Sequence, residues 1–555
     1  MNTQARRRRS RSVESASQSA QRGLAPIDVA VRPARREELM PVALAAVAFA
    51  FVALIVCISR GYLLLYGDAV AHLGIARRIL DTRNPGLIQL GGVWLPLPHL
   101  LMLPFVQKME WWQNGLAGAW PSLLCYVLSV PGFYRLARRM VAAPWALVAT
   151  AFYGLNPNLL YLSTTAMTEP LYLAILIWAT LLTMECVAEI RAGRIGPVNR
   201  KLIALGVLIL AAVFTRYDGW IFGAAVWCVV AWNLFRSKML QRTAMGFSAF
   251  TLLALAGPLV WLAYNQHFFH DPLDFMRGPY SASAIERRTT PPGSHHYPGW
   301  HDPVWSAVVY LRTSQLDAVA WETGFVVAAL AAAGFFFAVR RKLELTAALL
   351  WVPLPFYVYS IAFGSIPIFI PPLIPHSYYN SRYGMEMLPA FAVFACVSLA
   401  WLQQWWMRSQ PLAARLMQPV VLMLVVANAI AMMYRVPLVL KEAMVNSTTR
   451  VAFEEAIARE LRTFPVGVPI LMYNSDHVGA LQQAGIPLRQ TLSESDYDSW
   501  KAALASPAEH AAYVVAIAGD PVSEAVKNHP QGLTEMVVLC TTGQSCARVY
   551  KSDRF

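Results

Sequence analysis

About eleven separate apolar runs, each long enough to cross a bilayer, constrain this chain more than any motif within it. They fall near 41–59, 114–134, 144–162, 170–189, 201–215, 220–235, 246–265, 318–339, 345–363, 386–404 and 415–433, and a crossing helix needs roughly 20 such residues. With 57% hydrophobic and only 14% charged residues over 555 positions, too little polar surface remains to cover a soluble globule. The expected fold class is a polytopic α-helical membrane protein, its membrane module running from 41 to 435.

Charge sets the orientation. The net charge is +14, yet the arginines lie in short clusters between apolar runs, so no nucleic-acid partner is expected. Residues 1–40 are rich in Arg and Ser and poor in apolar side chains, and read as a disordered basic cytoplasmic tail. No small-residue cleavage site follows the first apolar run, which reads as a retained signal anchor. With the tail inside, the turns holding Arg135/Arg138/Arg139, Arg191/Arg194/Arg200/Lys201, Arg236/Lys238/Arg242, Arg340/Arg341/Lys342 and Arg408/Arg415 all fall in the cytoplasm. The odd number of spans puts the C-terminus outside, in a multi-pass protein of the plasma (inner) membrane with outer loops at 60–113 and 266–316. All 11 histidines then lie outside or in the C-terminal domain, so the chemistry is expected there. The plainer explanation is that inner loops are short and filled with arginine.

In the first outer loop, "DAVAHLGIARRIL" has apolar residues at Val70, Leu73, Ile75, Ala76, Ile79 and Leu80, a helical pattern suited to a segment lying on the membrane surface. Asp68 opens that helix, where free amides and the helix dipole favour an acid, and His72 follows at i+4 on the same face. A simple N-cap would explain Asp68 equally. Other ionisable residues gather at outer helix ends: Glu169 in "MTEPLYL", Arg216, Tyr217 and Asp218 in "TRYDGW", and Arg382, Tyr383 and Glu386 in "SRYGMEMLPAFA". Such residues are costly at membrane depth, and several at one level usually line a site. The plainer alternatives are a helix-start acid for Glu169 and an internal Arg216–Asp218 pair in a tight turn. "GGVWLPLPHLLMLPF", with Trp94 and His99, is too broken for a regular span and reads either as a loop lining the cavity or as a surface segment.

Taken in order, "GDAVAHLGIARRI", "MTEPLYL", "TRYDGW", "DPLDFMRGPYSAS" and "SRYGMEMLPAFA" resemble the C-type (GT-C) membrane glycosyltransferases, in particular bacterial relatives of protein O-mannosyltransferases and lipid A aminoarabinose transferases. The resemblance covers roughly 60–450. It implies an enzyme that passes a sugar from a polyprenyl-phosphate donor to a glycan, lipid or protein acceptor on the outer face, usually with inversion. Asp68 matches the family's first-loop acid and would be the catalytic base. Arg382 matches its Arg-Tyr pair and leads as phosphate ligand, ahead of Arg216. His72, His99, Glu169, Tyr217, Asp218 and Tyr383 are the remaining candidates for substrate binding.

No cofactor is assigned. The loop 266–316 offers His267, His270, His295, His296, His301, Asp271, Asp274 and Asp302, all metal-ligand types. Their spacing matches no metal motif, and a loop of this composition is more often a lid over a carbohydrate or lipid site. A divalent ion, Mg or Mn, stays open and unassigned. Residues 436–555 return to soluble composition, with helix and strand patterns that alternate as in a small extracytoplasmic α/β domain. Cys540 and Cys546, on facing arms of a terminal hairpin, could pair in an oxidising compartment or stay free. The competing function is a transporter or flippase of lipid-linked saccharides. That reading asks for a site reached from both sides near mid-membrane, whereas these ionisable residues gather at the outer ends.

Overall fold

The computed structural model describes residues 33–290 and 293–555; the basic tail up to residue 32 lies outside them. Among the described residues, ten helical stretches are long and apolar enough to cross a membrane, from Arg36–Arg60 to the helix Pro411–Tyr434. The run expected at 144–162 is instead two shorter helices, Ala143–Gly154 and Pro157–Leu162. Asn156 causes the break: its side chain accepts from the Asn158 and Leu159 amides and so starts a new helix, with Pro157 in the first turn.

Charge sorts the two ends of the bundle. At one end Glu38 holds Arg138 at 3.1 Å and the Tyr134 hydroxyl at 2.8 Å, Glu185 holds Arg135 at 2.9 Å and Lys201 at 2.7 Å, and Glu344 holds Arg139 at 3.2 Å. The opposite end carries the first long loop. The first helix stops there at Gly61, whose left-handed φ of 69° lets the Gly61 and Tyr62 amides close back on Ile58 and Cys57.

The C-terminal region forms a five-stranded sheet, ordered β2-β1-β3-β5-β4, from β1 (Ile470–Met472), β2 (Thr491–Leu492), β3 (Tyr513–Ile517), β4 (Leu533–Leu539) and β5 (Ala547–Ser552). The β1 pairs are parallel and the β4–β5 hairpin antiparallel. A Cys540–Cys546 disulfide closes that hairpin. This region roofs the first loop. Gln482 donates to the Trp112 carbonyl (2.6 Å), Arg83 to that of Thr491 (3.1 Å) and Gln89 to that of Ser495 (3.1 Å), while Arg489 pairs with Asp81 (3.2 Å).

The segment expected on the membrane surface is instead enclosed by protein. The helix carrying Asp68, Gly67–Arg78, does not lie on the membrane surface: Ala69, Leu73 and Ala76 are fully buried, and Gly74 abuts Val478 of the C-terminal region. Its apolar positions surround the axis instead of forming one stripe, as suits a helix covered on both sides.

Candidate functional site

The start of the Asp68 helix meets four further helix ends and turns through Arg382. Glu169 begins the helix Glu169–Arg191, and Asp218 begins Asp218–Arg236. Arg382, Tyr383 and Glu386 lie on the turn Ser381–Met387, and Glu442 on the helix Leu438–Val445. Acids in first turns face unpaired amides and the positive helix end, but these carboxylates also spend their charge on two arginines.

Glu169 Oε1 stands between the arginines, 3.2 Å from Arg216 Nη1 and 3.1 Å from Arg382 Nε. Arg216 further contacts Asp218 Oδ2 (3.2 Å), Glu386 Oε1 (3.2 Å), the Thr168 hydroxyl (2.8 Å) and the Tyr357 hydroxyl (2.5 Å). Tyr357 in turn donates to Glu386 at 2.7 Å. Arg382 pairs with Asp68 and approaches Glu442 at 3.5 Å. The Tyr383 ring lies against both guanidinium groups, 5.0 Å from that of Arg216 and 4.8 Å from that of Arg382, each a cation–π contact.

Asp68 makes no cap bond to its own helix; its N-cap position is Tyr66, and the carboxylate reaches across to Arg382 instead. The Asp68 side chain is 40% exposed, against 6% for Arg382 and at most 9% for Glu169, Asp218, Glu386 and Glu442. It is therefore the acid of this cluster that solvent or a second reactant can reach.

The remaining candidates are placed differently. His72 Nδ1 and His99 Nε2 lie 2.8 Å apart, and Trp94 packs on His72 at 4.2 Å between ring centroids. Burial pushes His72 down to about 3, with the charges of Arg382 and Arg216 adding, and burial pushes His99 down as well, so the pair is neutral. Tyr217 is taken up in packing: its hydroxyl donates to the Val93 carbonyl (2.6 Å) and accepts from Trp261 (3.2 Å), and Phe275 stacks on its ring at 5.0 Å. Phe275 belongs to the loop 266–316, which thus covers the "TRYDGW" turn.

The histidines of that loop disperse. His296 pairs with Glu286 at 2.6 Å, and Asp302 caps the helix Pro303–Ala318. Among the described residues no three His, Cys, Asp or Glu side chains come together to hold a metal ion.

Four contributors carry no readable signal in the sequence. Tyr357 is one aromatic in an apolar run, and Thr168 one hydroxyl among several. Glu442 follows the last span in what reads as soluble sequence, yet it accepts from the Asn380 amide (2.9 Å) and the Ser381 amide (2.8 Å) and so fixes the Arg382 turn. Asp317 is buried behind that turn with neither carboxylate oxygen hydrogen-bonded among the described residues. A Cβ on Gly384 would lie 2.5 Å from its Oδ2, so only glycine lets the turn pass. Burial pushes the Asp317 carboxyl well above the usual carboxylate range, and the Glu442 charge adds to this.

No family model and no curated protein matches the sequence. The structure is similar to ArnT from Cupriavidus metallidurans in two crystal structures. Against the form bound to undecaprenyl phosphate the TM-score is 0.56 at 13% identity, and against the apo form 0.51 at 15% identity; each match covers 91% of this chain and 97% of ArnT. The chain therefore has the GT-C membrane fold expected from its motifs.

Proposed function

We propose that this chain is an integral-membrane, inverting glycosyltransferase that moves a sugar from a polyprenyl-phosphate donor to an acceptor on the extracytoplasmic face. Shared fold with a protein crystallised with undecaprenyl phosphate supports the donor class. The observation that carries the reading is one partly exposed carboxylate, Asp68, salt-bridged to a buried arginine.

In this reading Asp68 takes the proton of the acceptor's nucleophile as that atom bonds to the anomeric carbon. The bond from that carbon to the phosphate oxygen breaks, and polyprenyl phosphate leaves with the electron pair. Arg382 neutralises the leaving phosphate through charge-assisted bonds. An arriving phosphate competes with Asp68 for Arg382, and the displaced carboxylate is then free to act as base. Glu169 and Tyr383 hold the two arginines in register, and His72 serves as a neutral wall. The same orientation puts the basic tail in the cytoplasm, the site and residues 436–555 outside, and the Cys540–Cys546 bond in an oxidising compartment.

The test compares wild type with Asp68→Asn for release of polyprenyl phosphate from a mixed pool of lipid-linked sugars, with circular dichroism as folding control. A fall of about 100-fold or more with the fold intact is expected for loss of a general base. Equal release by both proteins refutes the assignment. Passage of intact lipid-linked sugar across the bilayer with no release makes the chain a transporter.

A further inference from the structure

A cavity of about 270 Å³ lies apart from the arginine cluster and shares no lining residue with it. That volume is well above the space one water needs. It sits where the helix Pro411–Tyr434 ends, walled by Met432, Arg435, Lys441, Trp321, Pro371 and Pro372. The last turns of that helix turn bare apolar side chains outward: Ile430 and Met433 are each 62% exposed. In a membrane-spanning helix such residues face hydrocarbon, and the arginine that follows them marks the headgroup level.

Its charge is unbalanced. The Arg435 guanidinium rests 4.5 Å from the Trp321 ring and has no acidic partner among the described residues, and the Lys441 ammonium has none either. The acid lining the cavity, Glu322, is engaged by Arg312. Two free cations over prolines and a methionine, at the level where a span ends, match an anionic amphiphile: a phosphate on the cations and a chain along the apolar wall. We propose that this cavity binds the phosphate headgroup of an anionic membrane phospholipid, at a site separate from the reaction centre. The lipid would brace the helix Leu438–Val445 at Lys441, next to the glutamate that fixes the Arg382 turn.

The experiment is lipid titration of the full chain in detergent, read by native mass spectrometry, with phosphatidylglycerol, with phosphatidylcholine of the same chains, and with soluble glycerol phosphate as competitor. The first phosphatidylglycerol should bind about 30-fold more weakly to R435Q/K441Q than to wild type, while phosphatidylcholine binding is unchanged. R435K/K441R, which keeps both charges, should bind like wild type, as should R408Q/R415Q, which removes cations from the other end of the bundle. Unchanged phosphatidylglycerol binding by R435Q/K441Q, equal loss of both lipids, or failure of the charge-conserving variant overturns the proposal. Displacement of the lipid by an equal concentration of glycerol phosphate also overturns it, in favour of a site for soluble phosphate esters.

Discussion

Asp68 and Arg382 are 314 positions apart in sequence and joined by an ion pair whose aspartate end is open to water and whose arginine end is buried. When Asp68 is neutralised, buried Arg382 still has Glu169 and Glu442 beside it, so its charge does not go unpaired. Asp68→Asn should therefore leave the unfolding temperature nearly unchanged while turnover collapses. Scanning fluorimetry beside the donor-release assay checks this; a large fall in melting temperature would make Asp68 a structural strut.

Arg382→Lys keeps the charge but not the fork. One guanidinium serves Asp68, Glu169 and Glu442 together, which a single ammonium cannot do. If Arg382 holds the donor phosphate, KM for the donor lipid should rise by about tenfold or more, with a smaller change in kcat. Initial rates over a donor titration decide it, and an unchanged KM removes Arg382 from donor binding.

Glu169→Gln tests the bridge. It leaves two buried guanidinium groups without their shared carboxylate, and breaking a buried pair costs about 3–5 kcal/mol. The melting temperature should drop clearly, in contrast to Asp68→Asn. A stable Gln variant would mean that Asp218, Glu386 and Glu442 suffice.

The His72–His99 pair sets a pH dependence. Both histidines are neutral when folded and bind protons near pH 6.5 when unfolded, so the unfolded state takes up protons as pH falls. Stability is complete above about pH 6.5 and is lost as pH falls below it, at up to about 1.4 kcal/mol per pH unit for each histidine, with the share of His72 running down to about pH 3. Melting curves from pH 7 to 5 should show a decline in wild type that is largely absent in H72F/H99F. Parallel curves would refute a neutral pair.

Asp317 gives the opposite sign. Its folded pKa lies above the unfolded one, so folding binds a proton; the contribution is complete below the usual carboxylate range and is lost as pH rises from there through the raised folded value. Asp317→Asn keeps the shape without an ionisable group. It should be at least as stable as wild type at pH 7, and less stable only near pH 3. A strongly destabilised Asn variant would mean that the carboxylate is ionised and paired.

The membrane spans, Asp68, Glu169, Arg216 and Arg382 were legible in the sequence because charge beside a long apolar run is costly and therefore conspicuous. The break at Asn156 was hidden, since "NPN" in an apolar run interrupts hydropathy too little to register. Glu442 was hidden for a different reason: nothing local distinguishes it from a surface acid, and only the fold brings it to Ser381, 61 positions away. The helix Gly67–Arg78 misled because a short run of apolar and small residues all round its axis shows that it is buried and gives no sign of what will cover it.

The roof over that helix bears on how the protein is made. Residues 67–78 are made well before Val478, Gln482 and Thr491, which enclose the first loop. A nascent chain thus holds Asp68 without its roof until those residues have been made. Chains truncated before residue 480 should insert normally yet be cleared as unfinished.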